Sequence, residues 1–591
     1  MGLHALDWTI IGAYMVLALG IGFFLRKRAG KGLSNYFLSG RSFPWWLAGT
    51  SIVATTFAVD TPLAVTGFVA KNGIAGNWFW WLTCLSTMTV AFFFARWWRR
   101  SRILTDVEFI ELRYSGKSGA FLRGFSAIYR GLVINAIKLA FVMVAMAKVI
   151  DAVFAIDKET ALLISLAVIL VYSVMSGFWG VVVTDFLQFF IAMGGSIVFA
   201  ILAVKHVGGI SGLESGLVAR FGAQGAEDML TILPPAGSMW MPFFTLFVYL
   251  GIMWWADARV EGGSYVAQRI MSTKDEKHAT AASLWFNFAH IALRPWPWIL
   301  VALVSLIVYP NIADKESGFP LMMNTVLPIG LKGLMITSFF AAFMSTVDTL
   351  INWGSSYLIN DFYKRFLAKD KREKHYVIAS KICEVGLLTV GYIVSRNVDS
   401  VVGMWKLVAS LTAGLGVVYV ARWFWWRVNA WSEVAAMVAS GVSTFWLNAF
   451  TTMDFAHKIC IILPVSIVSW VLATYLTSPV SMDRLTSFYR RVRPYPFFWK
   501  PVLKHIEDPA ERVCPDDFWR NVRCWVWGVV AVYSLLFAIG KWIFMRTPQA
   551  IGFTSLFAAM CVLLWIEMRG RGESREAAVT KELVEEPALQ S

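Results

Sequence analysis

Charged residues are scarce in this chain. They make up 15% of its 591 residues, whereas soluble proteins average about 25%. Hydrophobic residues make up 58%, and the mean hydropathy is +0.60. This balance excludes an ordinary soluble domain and predicts an all-α polytopic membrane protein.

Cysteine is also sparse. The six cysteines are scattered with no CxxC pair, so they indicate neither a disulfide nor a metal site. No His/Glu or Cys cluster has metal-ligand spacing, and Ser345 lacks an identifiable base. We therefore predict that the chain is not an enzyme and holds no cofactor. We also predict no cleavable signal peptide, because no small-residue cleavage site follows the apolar segment 8–25.

The net charge of +15 would suit a nucleic-acid-binding protein, but its distribution argues against one. Lys and Arg concentrate in alternate loops, as the positive-inside rule requires of membrane proteins. With the N-terminus outside, every basic cluster falls on the cytoplasmic side, including Arg26–Arg28 and Arg96–Arg102. We predict an integral multi-pass plasma (inner) membrane protein with a cytoplasmic C-terminus, surrounding lipid and no nucleic-acid partner.

Hydropathy predicts about fifteen spans. They cover residues 8–25, 43–70, 78–98, 122–150, 160–176, 179–204, 240–270, 281–309, 330–362, 375–395, 400–421, 433–450, 458–476, 523–544 and 548–567. The last four form accessory spans at 433–476 and C-terminal spans at 523–568. Between them we predict a basic, irregular cytoplasmic loop at 477–522 with a surface helix, and after them a disordered cytoplasmic tail at 569–591.

One of these spans has a polar centre, TSIVATTFAVDTP (50–62). Asp60 at membrane depth costs at least ~2.5–3.5 kcal/mol, and Pro62 removes a helical hydrogen bond. Lipid offers no partner for a freed N–H or C=O group. We therefore predict a broken helix lining a binding site that includes Thr56, Asp60 and Thr61. An ordinary proline kink is the alternative.

A second interrupted segment covers residues 240–271, with Asp257, Arg259 and Glu261 near its centre. It begins five spans after the first, and an odd offset reverses the direction of a span. The two broken helices therefore run antiparallel, which is the pattern of an inverted five-plus-five repeat whose unwound helices meet at mid-membrane.

This pattern divides the transport core into two repeats. The core is predicted to cover residues 43–421, with the first repeat at 43–204 and the second at 240–421. Broken helices with polar centres, related in this way, indicate a site that holds a solute.

A span of the second repeat carries Ala342, Ser345 and Thr346 at positions i, i+3 and i+4, on one helical face. Hydroxyl oxygens beside carbonyls freed by an unwound helix suit a hard monovalent cation. Ser and Thr also mediate close packing of membrane helices, and that alternative stays open. Asp348 and Thr349 continue the same face by one turn and favour an ion site.

The span 179–204 opens with Asp185 and Gln188 at positions i and i+3. A carboxylate buried in an apolar helix indicates a functional site by default. The alternative is an aspartate near the cytoplasmic rim that merely caps the helix.

Five sequence motifs follow one another at consistent spacing. They are Asp7–Tyr14, NYFLSGRSFPWW (35–46), GFWGVVVTDFLQ (177–188), YVAQRIMSTKDEKHA (265–279) and MSTVDTLIN (344–352). Together they resemble the sodium:solute symporter family, which includes sodium–proline, sodium–pantothenate, sodium–sialic acid and sodium–glucose carriers. The resemblance covers residues 7–363.

The resemblance implies a leucine-transporter-like fold, with a peripheral first span (1–30) and about four helices after the repeats. It also implies a conserved sodium site formed by the carbonyls of Ala54, Phe57 and Ala342 and the hydroxyls of Ser345 and Thr346. In members resembling the sialic acid carrier a second sodium lies near the cytoplasmic side. Its positions fall here on Asp185, Ser345, Asp348 and Thr349, so a second cation, or a proton, is an open prediction.

Substrate determinants carry over less well. Sugar carriers of the family show aromatic and amide residues where this chain has Asp257, Arg259 and Glu261. Lys138 and Arg294 on other spans add further charge to the predicted substrate cavity. Arg259 or Arg294 facing the cavity would favour a carboxylate bound bidentately. The alternative is an internal salt-bridge network.

The sequence therefore predicts a sodium-coupled secondary symporter that imports a small polar solute (a carboxylate, amino acid or sugar) by alternating access. Its ligands would be that solute and Na⁺ as coupling ion, and a monomer should suffice for transport. A transporter-like membrane sensor and a proton-coupled carrier of the same fold are the alternatives.

Overall fold

The computed structural model describes residues 3–29, 38–173, 178–234, 237–238 and 240–585. All regular elements in these ranges are helical. The beginnings of the motifs 35–46 and 177–188 lie outside the described residues. The same holds for residue 30 of the predicted first span and for residues 586–591 of the predicted tail.

Among the described residues, the first half of the chain contains eight helices of more than ten residues. They are α1 (Ala5–Ala29), α2 (Trp45–Thr56), α3 (Asp60–Asn72), α4 (Ile74–Ser101), α5 (Gly116–Phe154), α6 (Lys158–Ser173), α7 (Phe178–His206) and α8 (Gly209–Leu230). The helix α8 lies in the predicted outer loop 206–238, where the sequence analysis assigned no helix.

Eight further helices follow in the region of the second repeat. They are α9 (Phe243–Ala256), α10 (Tyr265–Met271), α11 (Glu276–Val308), α12 (Gly318–Val326), α13 (Leu331–Leu367), α14 (Glu373–Ser395), α15 (Val401–Thr412) and α16 (Leu415–Phe424). The helix α7 packs against α2, α11 and α13, so the two halves share one core.

The remaining helices are α17 (Ala430–Phe450), α18 (Phe455–Leu476), α19 (Met482–Val492), α20 (Phe518–Ile543) and α21 (Thr547–Glu585). The helix α19 lies in the loop 477–522, where a surface helix was predicted. The helix α21 continues into the tail that was predicted to be disordered. That tail is rich in Glu, Ala and Arg, which all favour helix.

The predicted spans coincide with these helices. Among the described residues, nine helices are long and apolar enough to cross a membrane, or up to twelve if each bent pair is one span. The other three predicted spans coincide with α1, α6 and α17. The total number of crossings and the domain boundaries stay predictions.

The first break separates α2 from α3 at residues 57–59, with a bend of 57°. Phe57 leaves the helical conformation at φ −87° and ψ 64°, and its N–H still donates to the carbonyl of Ala54 at 2.9 Å. Pro62 lies in the first turn of α3, where a missing N–H costs least. The interrupted helix predicted around Asp60 and Pro62 is therefore confirmed.

The second break covers residues 257–264, between α9 and α10, and the chain bends there by 51°. Asp257 is extended, Ala258–Glu261 form a single 3₁₀ turn, and Gly262 has φ +77°. The predicted interruption of this segment is confirmed as well.

A third break, which the sequence analysis did not predict, separates α15 from α16 at Ala413–Gly414 and bends the chain by 43°. Gly414 has φ +86°, a conformation that glycine adopts without strain. Its N–H donates to the carbonyl of Ala256 at 2.9 Å. The third break is thus tied directly to the second.

Gly416 lies where the second and third breaks approach most closely. A Cβ atom on this residue would meet the backbone oxygen of Trp255 and, at 2.5 Å, that of Asp257. We expect Gly416→Ala to lower the free energy of unfolding by about 1–3 kcal/mol, as overpacking of a close contact does. Denaturation of the purified protein in detergent measures this change.

Gly441→Ala serves as the matched control, because no atom lies within 4 Å of a Cβ atom at Gly441. In helix α17 this change should be neutral or slightly stabilising, since alanine favours helix more than glycine does. Equal stability of the two variants would contradict the close contact at Gly416.

Candidate functional site

A cavity of about 230 Å³ lies where the three breaks meet. Its wall includes Ala58 of the first break, Asp257 of the second and Thr412 beside the third. Side chains of α4, α5, α11 and α13 complete the wall. A cavity of this size suits a small solute.

The polar residues of the first break face this cavity. Thr56, Asp60 and Thr61 all line it, and their role in binding the solute stays a prediction. The Thr61 hydroxyl donates to the carbonyl of Thr56 at 3.3 Å and so partly replaces the lost helical hydrogen bonds. Oδ2 of Asp60 accepts from Nε1 of Trp405 at 2.8 Å, whereas Oδ1 is buried without a partner.

Asp257 and Arg259 of the second break line the cavity and form an ion pair with each other. Nε and Nη2 of Arg259 donate to Oδ1 and Oδ2 of Asp257 at 2.8 and 3.0 Å. This bidentate contact neutralises Arg259 locally. Arg259 therefore forms an internal salt bridge in this structure, which was the alternative to a guanidinium free to bind a carboxylate.

Glu261 does not line the cavity, and its prediction as a cavity residue is wrong. Its carboxylate is fully buried elsewhere, where it accepts from Nε of Arg422 at 3.2 Å and from Nε1 of Trp423 at 2.5 Å. The prediction assumed an α-helical spacing from Asp257. In an extended residue followed by a 3₁₀ turn, residues four apart do not share a face.

Lys138 and Arg294 both line the cavity, and their role in binding the solute stays a prediction. Nη1 of Arg294 donates to the carbonyl of Val53 at 3.1 Å and to the hydroxyl of Thr56 at 3.2 Å. Nζ of Lys138 lies 5.0 Å from the ring centre of Trp353. Neither cation forms an ion pair with any residue that the structure describes.

The predicted sodium ligands border the first break. The carbonyl of Ala54 accepts a hydrogen bond from the N–H of Phe57, where α2 ends. The hydroxyl of Thr346 on α13 donates to the carbonyl of Thr55 at 3.4 Å. Thr346 also lines the cavity. The face of α13 that is predicted to bind an ion therefore contacts both the first break and the cavity.

The other predicted sodium ligands lie on the same helix. Ala342 is one turn before Thr346 on α13, which is unbroken there, and Ser345 is adjacent to Thr346. The hydroxyl of Thr55 is buried and has no hydrogen-bond partner. A buried oxygen of this kind beside further oxygens is chemically suited to a hard cation. The residues present thus fit a sodium ion, and the ligand set itself stays a prediction.

The residues predicted for a second cation surround a guanidinium. Oδ2 of Asp185 accepts from Ser51 at 2.6 Å, and Oδ1 accepts from Ser345. Nη2 of Arg269 lies 3.5 Å from Oδ2 of Asp185 and donates to the hydroxyl of Thr349 at 2.9 Å. The side chains of Asp185 and Arg269 are both 0% exposed. Arg269 therefore supplies a positive charge at this cluster.

Asp348, the remaining member of that predicted set, is buried on α13 and interacts electrostatically with Arg269. Asp185 and Asp348 are thus two buried carboxyl groups close to the guanidinium of Arg269. Asp185 lies well inside α7, which begins at Phe178, so it does not merely cap the helix. A second cation at this position stays a prediction.

Comparison with known protein families agrees with this arrangement. The family model of the sodium:solute symporters matches residues 36–440, more than two thirds of the chain. The chain belongs to the sodium:solute symporter family. Sodium-coupled symport is therefore the general activity that its family carries out, and the family resemblance seen in the five motifs is confirmed.

Two relatives of the symporter illustrate the level of similarity. The sodium/glucose cotransporter of Vibrio parahaemolyticus is 22% identical over 465 residues, which cover 74% of this chain and 84% of that protein. Sodium/glucose cotransporter 1 of Oryctolagus cuniculus is 23% identical over 470 residues, which cover 72% and 69%. At this level of identity, the solute of a relative does not identify the solute of this chain.

A solved structure confirms the fold. The substrate-bound outward-open state of a Na⁺-coupled sialic acid symporter aligns with a TM-score of 0.64 and 20% identity, covering 81% of this symporter and 99% of that chain. The symporter is thus an all-α integral multi-pass membrane protein. It has the leucine-transporter-like five-plus-five inverted repeat, with one extra N-terminal helix and about four extra C-terminal helices.

Several site residues of the symporter were not predicted. The sequence analysis gave Arg269 no role at the site, although a charged residue inside an apolar helix is itself a signal of function. Arg130 in the predicted span 122–150 offered the same signal, whereas Ser51 and Trp405 gave none. Tyr265 lies in a quoted motif, but only the structure places its ring in the cavity wall.

Proposed function

We propose that this symporter imports a small polar solute (a carboxylate, amino acid or sugar) together with Na⁺ by alternating access, without a catalytic step. We also propose that its N-terminus lies outside and that one chain suffices. The observation that carries the proposal is the position of Thr346, whose hydroxyl contacts the first break while its side chain lines the cavity. One helix can therefore respond to both ligands.

In this proposal Na⁺ binds between the first break and α13. The ligands would be the carbonyls of Ala54, Phe57 and Ala342 and the hydroxyls of Ser345 and Thr346. The buried hydroxyl of Thr55, which has no partner, supports an oxygen-rich position here. Bound Na⁺ would hold α2 against α13 and order the break that the solute contacts.

Coupling follows from the shared residues. A cation that orders the first break favours the conformation in which Thr56 and Asp60 are positioned for the solute. By thermodynamic linkage, the solute then raises the affinity for sodium by the same factor. A sodium gradient can therefore drive uptake without any covalent chemistry.

One sodium ion balances the charge of the buried cluster behind the site. Asp185 and Asp348 contribute two negative charges and Arg269 one positive charge, and Ser345 connects Asp185 to the proposed sodium site. This balance supports one sodium per cycle, with Arg269 in the role that a second cation was predicted to have.

Replacing Ser345 and Thr346 together by Ala tests the sodium site. We expect the sodium concentration for half-maximal uptake to rise about tenfold or more, because the loss of buried polar ligands costs on the order of 1–3 kcal/mol. Uptake by proteoliposomes at increasing sodium concentrations measures this change.

Thr337→Ala is the matched control for this pair. Thr337 is buried on the same helix, and its hydroxyl donates within that helix to the carbonyl of Gly333 at 2.8 Å. Its sodium activation should equal that of the unaltered protein. Unchanged activation in the double Ser345/Thr346 variant would remove the proposed site.

A further inference from the structure

The cavity wall carries more positive than negative charge. Its cations are Arg130, Lys138, Arg259 and Arg294, and its carboxylates are Asp60 and Asp257. Two of the cations are neutralised by neighbours, because Arg259 pairs with Asp257 and Arg130 pairs with Asp106. The remaining two cations and the remaining carboxylate determine which solute the cavity accepts.

Arg294 is one of the two unneutralised cations, and only 1% of its surface is exposed. Its Nη1 donates to two neutral oxygens, those of Val53 and Thr56, and its Nε has no hydrogen-bond partner. The ring of Trp298 lies 5.3 Å from the guanidinium. A buried guanidinium without an anionic partner is costly, so an anion in the cavity would stabilise it.

Lys138 is the second of the two unneutralised cations in the cavity wall. Its Nζ lies 5.0 Å from the ring centre of Trp353 and 5.5 Å from that of Tyr265. Aromatic faces attract a cation but do not neutralise it. Arg294 also interacts electrostatically with Tyr265.

Asp60 provides the complementary group. It is 2% exposed, and it interacts electrostatically with Arg294 without forming a direct ion pair. Its Oδ2 accepts from Trp405, and its buried Oδ1 accepts from no group. A hydrogen-bond donor on the solute would satisfy this carboxylate oxygen.

We propose that the solute is a small monocarboxylate that also carries a hydroxyl or ammonium group. Its carboxylate binds Arg294 and Lys138, and its donor group binds Oδ1 of Asp60. Two cations and one carboxylate leave a single positive charge. A hydroxy-carboxylate balances this charge, whereas an amino acid is neutral overall and pairs its two charged groups separately with the cations and with Asp60. The inference rests on the proposed transport function, since it takes the cavity as the solute site.

A neutral sugar fits this wall less well. It would displace water from Arg294 and Lys138 without supplying an anion, and both cations would stay desolvated and unpaired. A carboxylate forms charge-assisted hydrogen bonds with both, and these are about twice as strong as neutral ones.

Binding to the purified full-length protein tests the solute class. The probes are D-gluconate against D-glucose, which differ in the carboxylate, and L-lactate and L-alanine against propionate, which lacks a donor. Each is added at equal concentration in sodium chloride or choline chloride, and the rise in Tm reports binding. We expect D-gluconate, L-lactate or L-alanine to raise Tm, and D-glucose and propionate to have little effect. The lactate and alanine arms separate a hydroxyl from an ammonium donor.

Two variants connect this binding to the cavity. Arg294→Gln and Lys138→Gln should each weaken carboxylate binding about 10- to 100-fold, while the Tm rise caused by sodium alone is kept. Lys138→Gln provides the test if Arg294→Gln does not fold. Lys406→Gln is the matched control, because Lys406 is a half-buried cation on α15 near Phe455 and outside the cavity wall.

The results separate the solute class from the transport function. The proposal is overturned if D-glucose binds as tightly as D-gluconate, if no carboxylate in the panel binds, or if both variants bind carboxylate normally. Carboxylate binding that is independent of sodium would instead contradict sodium coupling and leave the solute class intact. Sodium-driven uptake of D-glucose but of no carboxylate would contradict the solute class and leave sodium coupling intact.

Discussion

Arg422→Met is expected to produce the largest loss of stability, on the order of 5 kcal/mol or more. Arg422 pairs with both Glu261 and Glu433, and all three side chains are 1% exposed. Breaking one buried ion pair costs about 3–5 kcal/mol, because the remaining charge stays desolvated. Here two carboxylates would lose their common partner. The amount of folded protein recovered in detergent, and its unfolding midpoint in denaturant, measure the loss.

The triple variant Glu261→Gln, Arg422→Met, Glu433→Gln provides the control for this result. Removing all charges of the group together should restore most of the lost stability, since no buried charge is left unpaired. A stable Arg422→Met single variant would contradict the buried triad. A triple variant no more stable than the single one would show that shape, and not charge, determines the effect.

Arg269→Gln is expected to lower the free energy of unfolding by about 3–5 kcal/mol, because it leaves Asp185 buried without its cationic partner. We also expect sodium activation to change, since Ser345 bonds to Asp185 and belongs to the proposed sodium site. Denaturation in detergent and sodium-dependent uptake give the two measurements.

Two comparisons sharpen this prediction. The double variant Asp185→Asn, Arg269→Gln keeps the net charge of the cluster and should recover much of the lost stability. Arg396→Gln removes one partner of an exposed pair with Glu159, with side chains 58% and 45% exposed, and should cost less than about 1 kcal/mol. Equal effects of Arg269→Gln and Arg396→Gln would contradict the structural role of the buried pair.

The two broken helices that the sequence reveals are those with charges at their centres. Asp60 and Asp257 are too costly at membrane depth to be accidental, so the interruptions could be predicted from composition alone. The third break at Gly414 has no such signal, because glycine is common in intact transmembrane helices. Its cause is tertiary: a hydrogen bond to Ala256 in another span.

Roles of individual site residues were harder to predict where helical spacing fails. Asp257 and Glu261 would share a face in an α-helix, but the unwound backbone directs Glu261 to Arg422. Arg269 was recognisable as a charge, while its partner Asp185 lies on another helix. By contrast, Thr346 follows regular helical spacing on α13, and the structure places it at the first break.

The guanidinium beside Asp185 has an energetic consequence for the cycle. A charge fixed to the polypeptide is not released to the cytoplasm, so only dissolved ions perform electrical work. If one sodium enters with one monoanion, no net charge crosses, and the voltage of ~2.3 kcal/mol per charge per 100 mV contributes nothing. The attainable concentration ratio of the solute then equals that of sodium. With a freely diffusing second sodium in place of Arg269, the limit would be the square of the sodium ratio, raised further by the voltage that acts on the one net charge.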